Sequence, residues 1–379
     1  MRLLPTLAVS SLVAFAAAVG ASAAGLPRQF AAHLAFAVGA MPLIFAAMGH
    51  FVPVLTRSGE APPMVRAVPL LALAGGLGVV VSFVLPGAWL RGPSLAAVPA
   101  LVAAAAMIAW SRLRGRGGLG RPHAGLWWYP AACLCLFLAL LAVPAMEIWP
   151  GARAALRLFH LHLNTLGFIG LTAIGTLQVL LPTAAGRPDP QAAPRLRRDL
   201  APALAGVLLM AGGAAWGGLP GHGIAGLGLL CWLVPLVRLG TAWFAQFPGE
   251  ILRRDGAAPS LASALAGLLA LSLLGGLHGL GVINGVDAIP AWFLAFLLPL
   301  VSGAVSQLLP VWRRPGRQGA WHAEVRRRLQ RHGGIRGPAF VLAGLGYALG
   351  WHVAGLLALP ALAQFLWALA RLPRFAEAA

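Results

Sequence analysis

The chain has 379 residues, of which 59% are hydrophobic and only 10% charged, with a formal net charge of +19. A soluble domain carries about 25% charged residues, so a soluble fold of any size is excluded and an all-α polytopic membrane protein is expected. The positive charge does not imply a nucleic-acid partner: all 28 basic residues are arginine, and they fall in the joints between apolar stretches rather than along one face.

A bilayer span needs about 20 apolar residues. Twelve segments are predicted to cross: 3–24, 28–56, 67–87, 93–111, 127–146, 155–184, 199–217, 221–245, 258–280, 288–312, 336–351 and 353–371. The last two share a short stretch with a turn near Gly350. The joints differ in charge. Arg2, Arg57, Arg66, Arg112, Arg114, Arg116, Arg121, Arg187, Arg195, Arg197, Arg198, Arg253 and Arg254 fall on one side, with the eight arginines from Arg313 to Arg336, then Arg371 and Arg374. Only Arg28, Arg91, Arg153 and Arg157 fall on the other, and Arg238 lies inside a span. Arginine-rich joints stay in the cytoplasm, which predicts a multi-pass protein of a bacterial inner membrane with both termini cytoplasmic. Cys133, Cys135 and Cys231 lie in or near apolar helices, where they read as small packing residues and imply no disulfide framework.

Three segments resemble one another: Phe36-Ala-Val-Gly to Pro53, Leu166-Gly-Phe-Ile-Gly to Pro182, and Phe296-Leu-Leu-Pro to Pro310. Each is a long apolar helix with small residues that ends in an apolar pair and a proline. The prolines are spaced 129 and 128 residues apart. A single membrane domain of three four-helix units, about 1–125, 126–255 and 256–379, follows, with the marked helix second in each. The opening run after Met1-Arg2, ending Ala21-Ser22-Ala23-Ala24, has the form of a signal peptide, but the repeat requires it as the first helix.

Ten histidines accompany only nine acidic residues. Ionisable groups inside a membrane are costly and mark functional sites. His33, His160, His162, His222, His278 and His352 fall on the outer side of this topology, and His50, His123, His322 and His332 on the inner. His123, His322 and His332 read as solvated joint residues. His33 and His162 each stand 20 residues before the marker proline of their segment, so parallel helices hold them at one depth. Two imidazoles facing each other at one depth can supply both axial ligands of a haem. His160 and His162 are separated by roughly 200° of helix rotation, so they cannot chelate one metal while helical but could serve two different centres. A lone membrane histidine also suits an ordinary hydrogen bond between helices or a place at headgroup level, a reading that fits His222, His278 and His352, near span ends, better than it fits His33, His160 and His162.

The run Phe159-His160-Leu-His162-Leu-Asn-Thr-Leu-Gly167-Phe-Ile-Gly170, continuing through Gly175-Thr-Leu-Gln178 to Pro182, resembles the haem-ligand helix of the haem–copper oxidase superfamily. It is closest in form to that of cbb3-type oxidases and nitric oxide reductases. The segment from His33 through Met41-Pro42-Leu-Ile-Phe and Gly49-His50-Phe-Val-Pro53 resembles the family's second helix. The resemblance implies that His160 binds a high-spin haem, and that His162 and His33 bind a low-spin haem. It also implies twelve helices in three arcs, with the haems toward the outer face. This chain departs from the pattern in three ways. Its His-x-His lies on the sixth helix, not the tenth. The adjacent copper-binding His-His pair is absent, and neither Tyr129 nor Tyr347 stands four residues after a histidine as the active-site pattern demands. The NnrS-type membrane proteins, haem- and copper-containing and associated with nitric oxide stress, fit these departures better.

The expected function is a haem-binding membrane protein of respiratory or nitric oxide-related redox function, turning over oxygen or nitric oxide or only sensing it. No catalytic residue is assigned. The shared outer depth of His222, His278 and His352 permits a second metal such as copper. Electrons would come from a donor protein or quinol, because Cys-x-x-Cys-His is absent. Two other classes compete. A cofactor-free transporter or channel would use Arg238, Gln178, Gln307 and Glu147, and a haem- or copper-handling accessory protein would use His33 and His162 alone. Walker, Gly-rich nucleotide and nucleophile-elbow motifs are absent, so ATP-driven transport and hydrolase chemistry have no support in the sequence.

Overall fold

A computed structural model describes residues 3–85, 92–118, 120–285 and 287–372. Arg2, Arg91 and Arg374, used above for orientation, lie outside the described residues. The described chain is helical, with no strand among these residues. We number the principal helices α1 (Leu3–Ala23), α2 (Arg28–Thr56), α3 (Pro63–Val84), α4 (Val98–Gly117), α5 (Ala124–Ile148), α6 (Pro150–Ala185) and α7 (Ala192–Trp216). They continue with α8 (Gly218–Gln246), α9 (Ala257–Gly279), α10 (Ala288–Arg313), α11 (Ala320–Gln330), α12 (Gly333–Ala348) and α13 (His352–Ala370).

Ten of these, all but α4, α11 and α12, are long and apolar enough to cross a membrane. The chain is a multi-pass membrane protein. Two of the twelve expected segments fall short for different reasons. Helix α4 carries Arg112, Arg114 and Arg116 toward its end, and α12 has only 16 residues. All helical hydrogen bonds are local, so a helix can stand in lipid without orphaned backbone groups. The internal prolines Pro53, Pro182 and Pro310 sit in the last turns of α2, α6 and α10.

Three helices share an irregularity. Wider π turns occupy Leu34–Ala40 of α2, Leu163–Gly170 of α6 and Phe293–Leu297 of α10. The first begins directly after His33 and the second directly after His162. Wider turns of this kind recur at functional positions in helices.

Two compact units divide the chain. The larger comprises Leu3–Thr176 and Pro190–Pro235. Within it α1 is packed, not peripheral: Leu7, Leu12 and Phe15 are buried, and Ser11 Oγ donates to the Gly39 carbonyl at 2.7 Å. The α7–α8 hairpin turns at Gly217 and Gly218, both in the left-handed region that favours glycine. A Cβ on Gly206 or Gly228 would meet backbone of the opposite helix at 2.7 and 2.6 Å, so small residues set this close approach, as is common between membrane helices. Trp128 Nε1 donates to the Leu196 carbonyl at 3.1 Å, and the Phe45 and Phe168 rings meet at 5.4 Å.

The second unit comprises Leu177–Asp189 and Leu236 onward. Helix α9 is its centre. Ser260 Oγ donates to the Gly333 carbonyl at 3.1 Å, and Gly303 lies against Leu261. Arg336 is 1% exposed and stacks on Phe365 with its guanidinium carbon 4.5 Å from the ring centre.

Candidate functional site

Two of the histidines singled out from the sequence come together. The rings of His33 and His160 lie with centroids 6.3 Å apart and planes 23° from parallel. His33 stands on α2, one residue before its π segment. His160 stands on α6, three residues before its own.

Each ring is oriented by a backbone carbonyl. His33 Nδ1 lies 2.7 Å from the Gln29 carbonyl, one turn earlier on its own helix. His160 Nδ1 lies 2.8 Å from the Ala139 carbonyl of α5. A carbonyl only accepts, so Nδ1 of each neutral ring carries the proton and Nε2 keeps its lone pair. Among the described residues no hydrogen bond reaches either Nε2. Carbonyls placed in this way fix the tautomer and orientation of a histidine ring. Phe83 of α3 closes one side, its ring edge-on to His33 at 5.0 Å, and its own surroundings are Val79, Ala96 and Ala97.

The donor set suits a metal. A metal–imidazole nitrogen bond is about 2 Å, so two imidazoles trans across one ion have ring centres roughly 6 Å apart. The observed centroid separation of 6.3 Å is of that size. Neutral imidazole is a ligand for iron and copper.

The equal offsets from Pro53 and Pro182 pointed to His33 and His162 as partners; the ring that meets His33 is that of His160. Equal offset fixes depth in the membrane but not the direction in which a side chain points about its helix axis. His162, two residues on, directs its Nδ1 to the Leu158 carbonyl at 2.8 Å. It retains the self-capped form of His33, whose partner carbonyl is also four residues back.

The other candidates are dispersed. His222 is exposed and belongs to the larger unit, whereas His278 and His352 belong to the other. His278 Nδ1 faces the Ile283 carbonyl at 3.2 Å, and His352 Nε2 meets Asp287 Oδ2 at 2.8 Å. Among the described residues no three His, Cys, Asp or Glu side chains converge on one point. His50 packs edge-on against Phe51. His322, expected in solvent, is instead buried: its Nε2 donates to the Arg314 carbonyl at 2.8 Å, and its Nδ1 accepts from the Gly319 N–H at 3.1 Å. Sequence reasoning missed the carbonyls of Gln29 and Ala139 and the ring of Phe83. Backbone acceptors leave no mark in a sequence.

No family model matches the chain, and no characterised protein does so either.

Proposed function

We propose that this chain is a haem-binding protein of respiratory or nitric oxide-related redox function, held in a bacterial inner membrane with both termini in the cytoplasm. The observation that carries the proposal is the facing pair His33 and His160, each with Nδ1 engaged and Nε2 unengaged. Haem is favoured over a bare copper ion because no third protein donor accompanies the pair among the described residues, and haem brings four equatorial nitrogens of its own. Bound haem supplies one-electron transfer or gas binding. The chain's part is to hold neutral imidazoles at a fixed spacing and, with Phe83, to exclude water from one side.

His162 lies roughly 200° round the helix from His160, and we assign it to a separate group; the oxidase-like pattern also separates these two histidines but pairs His33 with His162 rather than with His160. The three π segments, each in a helix that ends in a marker proline, support the reading of twelve helices in three repeated units. In that reading α4 and α12 cross the membrane as the fourth and eleventh spans. An electron-donor protein or quinol would reduce the haem.

The test is a set of single variants, His33→Ala, His160→Ala and His162→Ala, purified in detergent after expression with ample haem. Loss of either paired histidine converts a six-coordinate low-spin spectrum to high-spin or removes the haem, whereas His162→Ala keeps the low-spin spectrum. A native spectrum in both His33→Ala and His160→Ala sinks the assignment.

A further inference from the structure

The Arg-rich joints carry more than an orientation signal. In the unit containing α9 they line an open pocket of about 840 Å³, bordered by the end of α6 at Ala184, residues of the stretch from Glu250 to Ala258, and α11 with the turn after it. Ligand pockets commonly span about 300–1,000 Å³, so the space suits a molecule rather than a single ion.

Its charges do not cancel. Arg253, Arg326, Arg327, Arg328 and Arg331 line it, against Glu250, Glu324 and Asp255. The carboxylates are already engaged. Glu250 accepts both forks of Arg187 at 3.0 Å, from a residue outside the lining. Glu324 takes Arg327 and also Arg328, the latter at 2.6 Å. Asp255 accepts the His332 backbone N–H at 2.6 Å. Arg253, Arg326 and Arg331 therefore have no carboxylate partner among the described residues. Arg326 gives one Nη2 bond to Gln318, and its Nε is buried with no acceptor.

A further cation lies close by. Arg336 donates from Nη1 to the carbonyls of Leu329 and Arg331, the two residues flanking the lining residue Gln330. Its Nε and Nη2 are buried without partners, and no carboxylate meets it among the described residues. Burying guanidinium groups without anions is costly. Topology signalling needs arginines in a joint; it does not need five of them gathered round one pocket, one with its Nε buried and without an acceptor.

We propose that this cavity is a binding site for a phosphate-bearing anion, gripped by Arg253, Arg326 and Arg331. Guanidinium forks match phosphate oxygens in bidentate geometry. Basic pockets between helix ends on the cytoplasmic side take anionic lipid headgroups, and a soluble phosphate compound offers the same chemistry. None of these arginines depends on a bound haem.

The test uses full-length protein by native mass spectrometry from nanodiscs of mixed phosphatidylglycerol, cardiolipin and phosphatidylcholine. In parallel, thermal unfolding of lipid-stripped protein is followed with and without pyrophosphate. Retained anionic lipid that falls at least about 10-fold in R253Q/R326Q/R331Q supports the site with a lipid occupant. Protection by pyrophosphate, lost in the same variant, supports it with a soluble one. Glu324→Gln, which frees Arg327 and Arg328, should strengthen whichever binding occurs, and keeps the test valid if the triple variant fails to fold. Equal retention and no protection in native and triple-variant protein overturn the proposal. So does an equal loss in R112Q/R114Q/R116Q, where the arginines belong to another joint, or unchanged binding in Glu324→Gln.

Discussion

Helix α6 reaches α5 closely enough to set His160 only because residue 167 has no side chain. A Cβ on Gly167 would stand 2.5 Å from Cys135 Cβ, 3.0 Å from Cys135 Sγ and 3.3 Å from Val207 Cγ1. Carbon atoms in contact sit about 3.5–4.0 Å apart, so Gly167→Ala must push the helices apart by about 1 Å. His160 lies seven residues earlier, about two turns, and its 2.8 Å bond to Ala139 crosses the same interface. A 1 Å shift takes that bond out of the ordinary hydrogen-bonding range of about 2.7–3.2 Å. Overpacking of this kind costs about 1–3 kcal/mol, which is roughly a 5- to 150-fold change in an equilibrium constant. The assay is unfolding in mixed detergent micelles followed by tryptophan fluorescence, with haem content measured on the same preparations. Gly167→Ala should lower both. Cys135→Gly removes the obstructing atoms, so the double variant Gly167→Ala/Cys135→Gly should recover much of the loss, a coupling that a double-mutant cycle isolates. A Gly167→Ala protein as stable and as haem-replete as the native one refutes the reasoning.

Three further outcomes are expected. Gly267→Ala should destabilise the unit built on α9 by at least as much, because the new Cβ would fall on the Ala295 carbonyl oxygen and only backbone movement relieves it; an unchanged unfolding midpoint contradicts this. His123, in the joint before α5, accepts the Gly125 N–H at Nδ1, and burial together with nearby Arg197 holds its pKa below the ordinary 6.5. The unfolded chain then binds the extra proton first, so stability is full above about pH 6.5 and falls as pH drops through the folded value; His123→Asn, which keeps a capping acceptor, should flatten the slope below that pH. Single cysteines at Ser58 and at Arg153, in a background lacking Cys133, Cys135 and Cys231, should label from opposite sides of sealed inverted vesicles, and labelling from one side rejects the topology.

Much of the architecture was legible because lipid imposes it. Apolar runs such as 63–84 and 257–279 have one stable option in a bilayer, and their helices fall within a few residues of the expected spans. The histidines on α2 and α6 were legible because charge-capable groups are rare there. What stayed hidden depends on azimuth and backbone. The π segments at Leu34–Ala40 and Leu163–Gly170 change hydrogen-bond partners without changing composition. The choice of His160 over His162 rests on which way α6 is turned against α5, fixed by Gly167 and Ala139. The cavity arginines were visible but read only as orientation signals, since nothing in their spacing tells that Glu250 and Glu324 are already committed to other partners. Buried His322 was misplaced for a similar reason: its acceptor, the Arg314 carbonyl, is a backbone group eight residues away.

The most direct measurement is the absorbance spectrum of the purified full-length protein, oxidised and dithionite-reduced, with metal analysis of the same sample. The account predicts a Soret band and a reduced α-band with iron bound, both dependent on His33 and His160. A colourless, metal-free protein after expression with ample haem contradicts it and leaves a cofactor-free transporter as the better reading.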